Sequence, residues 1–222
     1  MILTTTIGSY PKPSYLKVPD WFQGDKGTDA EYPTQGWEEA VKNLGSDFEK
    51  IVNKATREIL SDQIECGIDI VTDGEARREN YIHYHCRFLK GIDFNNLTKK
   101  AARTGNYDCY LPTIVDQVRF DKAFLSNEFR TNQNFSSKPI KVTIPGPLTI
   151  TDTIADNYYK DSKKLGIDLS IAINNEIKDL ANAGCKYIQI DEPLFARKTE
   201  EAINFGIENL ERCFHGISNE ID

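Results

Sequence analysis

The sequence predicts a parallel α/β sheet, and two observations carry that prediction. Short β-branched runs alternate with amphipathic helical stretches over the whole length. Polar and turn residues collect at the C-terminal end of each strand, as GSYP, DGE, PGPLT and DEP. Ligands of parallel α/β folds bind along that edge, so functional side chains are expected in these loops.

The elements follow in order. Residues 2–7, ILTTTI, read as a strand feeding the turn Gly8-Ser9-Tyr10-Pro11. A Pro-, Gly- and Asp-rich loop runs to about Gly36. Apolar residues from Trp37 to Ile64 recur at spacings of three and four, which predicts one amphipathic helix ending near Gly67. Ile68–Thr72 is a short strand ending in Asp73-Gly74-Glu75. A second helix is expected over Arg78–Leu89, then an extended excursion over Lys99–Arg119 and a helix near Ala123–Phe129. Ile140–Ile144 is a strand that runs into Pro145-Gly146-Pro147. A helix over Ser162–Ala183 stops at Gly184, a residue suited to the left-handed position that ends helices. Tyr187–Ile190 is the last strand, and a helix over Glu200–Phe214 follows. No repeat, low-complexity tract or linker divides the chain, so residues 1–222 are read as a single domain.

Composition narrows the class. Of 222 residues, 39% are hydrophobic and 27% charged, enough for a sizeable core. No apolar run approaches the ~20 residues of a membrane span. A net charge of −7 argues against nucleic acid as a partner, since phosphate binding needs clustered Lys and Arg. The five cysteines are scattered, with no CxxC pair, and MILTTTIGSYP has no secretory character. A cytoplasmic location is expected.

Glu75 and Asp191 stand just beyond two strands, where a carboxylate pair can bind an ammonium, hold a metal or act as acid and base. Their structural reading is a helix cap or a salt bridge. Gly8-Ser9 can offer backbone N–H groups to an anion, or simply form a tight turn. His83 and His85 are two positions apart, which on a helix points them to different faces and disfavours a metal pair. Asp152, Asp156, Tyr158 and Tyr159 either line the mouth or begin the next helix.

Taken together, TTTIGSYP, VTDGEARREN, VTIPGPLTITDT and IQIDEPLFAR resemble, in order and spacing, the catalytic barrel of the cobalamin-independent methionine synthase family. The resemblance runs to about Arg197. It implies a (β/α)8 TIM barrel of the methionine synthase and uroporphyrinogen decarboxylase type, of the short core form, with residues 1–222 covering about the first four β/α units. It also implies methyl transfer to the thiol of homocysteine, activated as a thiolate by zinc. By the same resemblance, Ile7 and Ser9 hold the amino-acid carboxylate, and Glu75 and Asp191 hold its ammonium. The stretch RTGNYDCYLP falls where the family contacts folate, making Cys109 a further candidate.

The family's zinc ligands and catalytic histidine follow the IDEP strand. They are therefore expected beyond Asp222, and residues 1–222 alone are expected to be inactive. Where the folate-using long form stacks an aromatic residue on the pterin, this sequence has Thr153. That opens the methyl donor to 5-methyltetrahydrofolate or methylcobalamin, the latter free or on a corrinoid protein. Two alternatives remain beside this reading. One is a related zinc-dependent thiol alkyl- or methyltransferase acting on coenzyme M or another thiol. The other is a non-catalytic half-barrel that assembles with a second chain.

Overall fold

The computed structural model of the chain describes residues 2–19, 31–32, 34–102 and 107–217. Much of the predicted Pro- and Gly-rich loop, and residues 103–106 of the stretch around Cys109, lie outside those residues.

The predicted first helix is two helices, α1 (Gln35–Leu44) and α2 (Phe48–Glu65), separated by a 3-10 turn over Gly45–Asp47. The second helix is shorter than expected. α3 spans only Tyr81–Cys86, because Asn80 is extended and its side chain caps the helix by accepting from the N–H groups of Ile82 and His83. Leu89 opens a long antiparallel hairpin instead, β1 (Leu89–Ala102) with β2 (Tyr107–Phe120), paired from Leu89↔Phe120 to Ala102↔Tyr107.

After α4 (Leu125–Gln133) come β3 (Lys141–Pro145), α5 (Pro147–Thr153) and the two-residue β4 (Ala155–Asp156), which joins β2. α6 (Ser162–Asn182) ends before Gly184, whose φ of +88° is the predicted left-handed stop. β5 (Tyr187–Asp191) follows. The last predicted helix is α7 (Thr199–Glu201) and α8 (Ile207–Cys213), joined by a π-helical turn.

The parallel sheet has the expected sequential order. Thr5 bridges Ile70, Val71 bridges Ile140, and β3 pairs with β5 from Lys141↔Tyr187 to Pro145↔Asp191, all parallel. The first two strands are thus single bridges rather than ladders. Three strand spacings would set the first and last strands about 14 Å apart in a flat sheet. Yet Gln189 Nε2 donates to Ile7 O at 3.0 Å, and Lys141 Nζ donates to Thr6 O at 2.7 Å. The sheet must therefore curl so that its concave face brings the ends together. Among the described residues it is an open arc and no closed barrel forms, which limits the expected TIM barrel to a curved four-stranded part.

Alternation along the strands sorts the faces. Val142, Ile144 and Ile188 point outward into the main core with Leu165, Leu169, Ile173 and Ile177 of α6. A second cluster packs Leu16 and Val18 against Phe48, Val52, Ala55 and Ile59. No helix among the described residues is long and apolar enough to cross a membrane.

Candidate functional site

The loop after the second strand holds Glu75 in an unusual backbone state, with φ of +55° in the left-handed region. Local hydrogen bonds hold it there. Asp73 Oδ1 accepts from Glu75 N at 2.9 Å, Tyr10 N donates to Gly74 O at 3.0 Å, and Arg78 N donates to Glu75 O at 2.9 Å. The result aims a carboxylate that is only 7% exposed, as a residue, toward the concave face.

Its two oxygens meet different strands. Ser9 Oγ donates to Oε2 at 2.6 Å, and Thr143 Oγ1 donates to Oε1 at 2.8 Å. Arg78 carries donors only, so its Nη1 fixes the Thr143 hydroxyl as acceptor at 3.1 Å and sends the hydroxyl proton to Glu75. The same Nη1 donates to Thr143 O at 2.9 Å and lies 3.8 Å from Glu75 Oε1. Gly8 leaves room for this arrangement, because a Cβ there would stand 2.8 Å from Glu75 Oε1.

Asp191, at the end of β5, accepts from Gln189 Nε2 at 2.6 Å. Burial pushes its carboxyl above the ordinary range, the Gln189 hydrogen bond works against that, and the Glu75 charge adds to it. Tyr81 of α3 faces the same group, its hydroxyl pushed up by burial and then by Asp191, Glu75 and Glu192. The neighbouring Glu192 has a structural task. Its oxygens accept from Leu148 N at 2.8 Å, Thr149 N at 2.9 Å and Thr149 Oγ1 at 2.7 Å, capping the start of α5.

The structure thus brings Ile7, Ser9, Glu75 and Asp191 to one mouth. Ile7 takes part through its carbonyl, the residue as a whole being 83% exposed. The Ser9 hydroxyl proton is committed to Glu75. Sequence reasoning missed Thr143, Arg78, Lys141, Gln189 and Tyr81.

Cys109 sits elsewhere, packing with Leu111 and Ala155 as its thiol donates to Lys100 O. Burial raises its pKa. Thr153 ends α5, where its carbonyl pairs with His83 Nε2 at 3.0 Å. Asp152 pairs with Lys198, and Asp156 accepts from the N–H groups of Tyr158, Tyr159 and Lys160. His83 and His85 are buried, with pKa values pushed down by burial to about 4 and about 3. Among the described residues no group of three or more His, Cys, Asp or Glu is placed to hold a metal, so these residues do not fit zinc.

The chain is 30% identical over 222 residues to a methionine synthase of Saccharolobus solfataricus, covering 100% of this chain and 61% of the relative. It is also 30% identical to one of Sulfolobus acidocaldarius, with 98% and 59% covered. A B12-independent methionine synthase from Shewanella sp. W3-18-1, solved in complex with selenomethionine, superposes with a TM-score of 0.82 at 32% identity, over 97% of this chain and 58% of that one. The chain therefore spans less than two-thirds of the length of these relatives. The family model described as the catalytic domain of cobalamin-independent synthase matches residues 2–204. A match running through all four strand ends makes this chain a member of that catalytic-domain family.

Proposed function

We propose that the mouth binds homocysteine as a zwitterionic amino acid, in a protein that methylates its thiol to give methionine. Its ammonium lies between Glu75 and Asp191, and its carboxylate lies against the backbone N–H groups of the Ile7–Ser9 turn, since the Ile7 carbonyl and the Ser9 hydroxyl proton are already engaged. The observation that carries this reading is a pair of carboxylates at two strand ends, Glu75 buried and Asp191 half-buried, close enough that Asp191 is pushed up by burial and by the Glu75 charge. A bound ammonium relieves that repulsion in the ionised pair and supplies three donors. The names of the relatives, one of them solved with an amino acid of the product's type, support the same assignment.

Binding and orienting the amino acid is what the described residues supply. The methyl donor, 5-methyltetrahydrofolate or methylcobalamin, belongs to the same proposal, and Cys109 remains a candidate on the donor side. A thiol such as coenzyme M, which lacks an ammonium, leaves the Glu75–Asp191 pair without a task.

Calorimetric titration of the purified chain with L-homocysteine, L-methionine and coenzyme M tests the reading. Glu75→Gln should weaken both amino acids by about 2–5 kcal/mol, as expected when one partner of a buried charge pair is removed. Unchanged affinity in that variant, or preference for coenzyme M, would remove the assignment.

A further inference from the structure

Two side chains on the concave face connect the halves of the mouth. Lys141 Nζ stands 2.6 Å from Gln189 Oε1 and 2.7 Å from Thr6 O. An ammonium has donors only, so the amide oxygen of Gln189 must face it. The Gln189 Nε2 hydrogens then point to two acceptors, Ile7 O at 3.0 Å and Asp191 Oδ1 at 2.6 Å. The flipped amide would set N–H against the ammonium and oxygen against a carbonyl and a carboxylate. One orientation alone satisfies every partner.

We propose that Gln189, locked by Lys141, is the positioning residue that fixes the separation between the Ile7 turn and the Asp191 carboxylate, and so makes the mouth selective for α-amino acids. The proposal rests on the amino-acid reading above and adds what holds its two halves in register. Ile7 and Asp191 belong to the first and last strands of the arc, and no backbone ladder joins those strands among the described residues. The Gln189 amide is a direct tie between them. An α-amino acid carries its carboxylate and ammonium on one carbon, so the distance between their receptors is a specificity element. The tether occupies Oδ1 of Asp191 and leaves Oδ2 for the ligand.

The charged and titratable groups facing Asp191 are Glu75 from the second strand's loop, Arg78 and Tyr81 beside it, Lys141 from β3 and Glu192 next in the chain. Gln189 is neutral, so its replacement changes hydrogen bonding without changing this set.

The test has two independent readouts on the purified chain and on Gln189→Met, Lys141→Met and Lys141→Arg. The first is a carbon-13 titration of the Asp191 carboxyl, assigned with Asp191→Asn, which needs no ligand. The second is the ratio of affinities for L-methionine and its β-amino homologue. Gln189→Met should move the Asp191 midpoint upward by about one pH unit, through loss of a hydrogen bond to the charged form. It should also lower the affinity ratio about tenfold. Lys141→Met should act in the same direction on the ratio, and Lys141→Arg should restore much of it. Urea midpoints show that each variant folds, and Lys141→Arg keeps the test open if Gln189→Met does not.

An unmoved Asp191 midpoint in Gln189→Met overturns the tether. A moved midpoint with an intact ratio overturns its role in selectivity. If the wild-type chain binds neither amino acid, the functional reading fails and the selectivity claim falls with it, while the titration alone still decides the tether.

Discussion

Acidification should weaken this fold through its buried imidazoles, and His85 lets the effect be sized. The residue is 2% exposed, and its ring is tilted against Phe124 with centroids 5.4 Å apart. Among the described residues neither ring nitrogen has a hydrogen-bond partner. Burial, with the Arg78 charge added, pushes its pKa from 6.5 down to about 3. Below pH 6.5 the unfolded chain takes up a proton that the native ring refuses until about pH 3. Stability is therefore fully present above pH 6.5 and is lost progressively as pH falls through that window.

Each pH unit inside the window is worth about 1.4 kcal/mol, so going from pH 8 to pH 5 removes about 2 kcal/mol through His85 alone. His83, pushed down to about 4, adds a loss of the same sign. Glu176 opposes both. Burial raises its carboxyl from 4.5 to about 7, so the native state binds its proton first and stability grows as pH falls between those values.

The wild-type profile is a sum of opposed contributions, and the informative quantity is a difference. Urea unfolding of wild type and His85→Leu at both pH values should show the variant gaining about 2 kcal/mol on wild type between pH 8 and pH 5. A change under about 0.5 kcal/mol, the usual scatter of additive effects, would refute the claim that burial keeps His85 neutral.

Two further substitutions test the mouth. Gly8→Ala places a methyl 2.8 Å from Glu75 Oε1 and 3.1 Å from Thr143 Cγ2, which displaces the carboxylate. Homocysteine affinity by calorimetry should fall about tenfold, and an unchanged value would show that the carboxylate yields without consequence. Glu192→Ala leaves the Leu148 and Thr149 N–H groups without their acceptor. It should cost about 1–3 kcal/mol in urea unfolding, and a variant as stable as wild type would show that Glu192 is not needed as the cap of α5.

The strand ends are legible in the sequence because a strand that stops at a ligand edge must turn at once, and Gly, Pro, Asp and Ser mark where it does. Glu75 and Asp191 stand out for that reason. The hairpin is half legible: the extended stretch expected over Lys99–Arg119 covers most of its second strand, and the first strand is what escapes. Leu89–Ala102 mixes Gly91, Asn95, Asn96 and three lysines with few β-branched residues, and register shifts between Lys90/Ile92 and Asp93/Thr98 break the alternation. The helix expected over Arg78–Leu89 starts later because Asn80 caps it from an extended backbone, while Arg78 reaches across to Thr143. Lys141 and Gln189 did leave a signal. In KVTIP and YIQID the polar residues alternate with the apolar ones, which puts Lys141 and Thr143 on one face of β3 and Gln189 and Asp191 on one face of β5.

Glu75 has a consequence for how this protein tolerates change. A left-handed backbone costs a side-chain-bearing residue about 1 kcal/mol or more, and glycine would sit there freely. The backbone alone would thus favour a residue that lacks the carboxylate. The side chain holds Glu75 against that preference: it accepts from Ser9 and Thr143 and stands beside the buried Arg78 guanidinium, and hydrogen bonds worth about 0.5–1.5 kcal/mol each offset the backbone cost. Glycine here would relax the loop and strand Arg78 among buried groups, so position 75 can lose its carboxylate cheaply only if Arg78 changes with it.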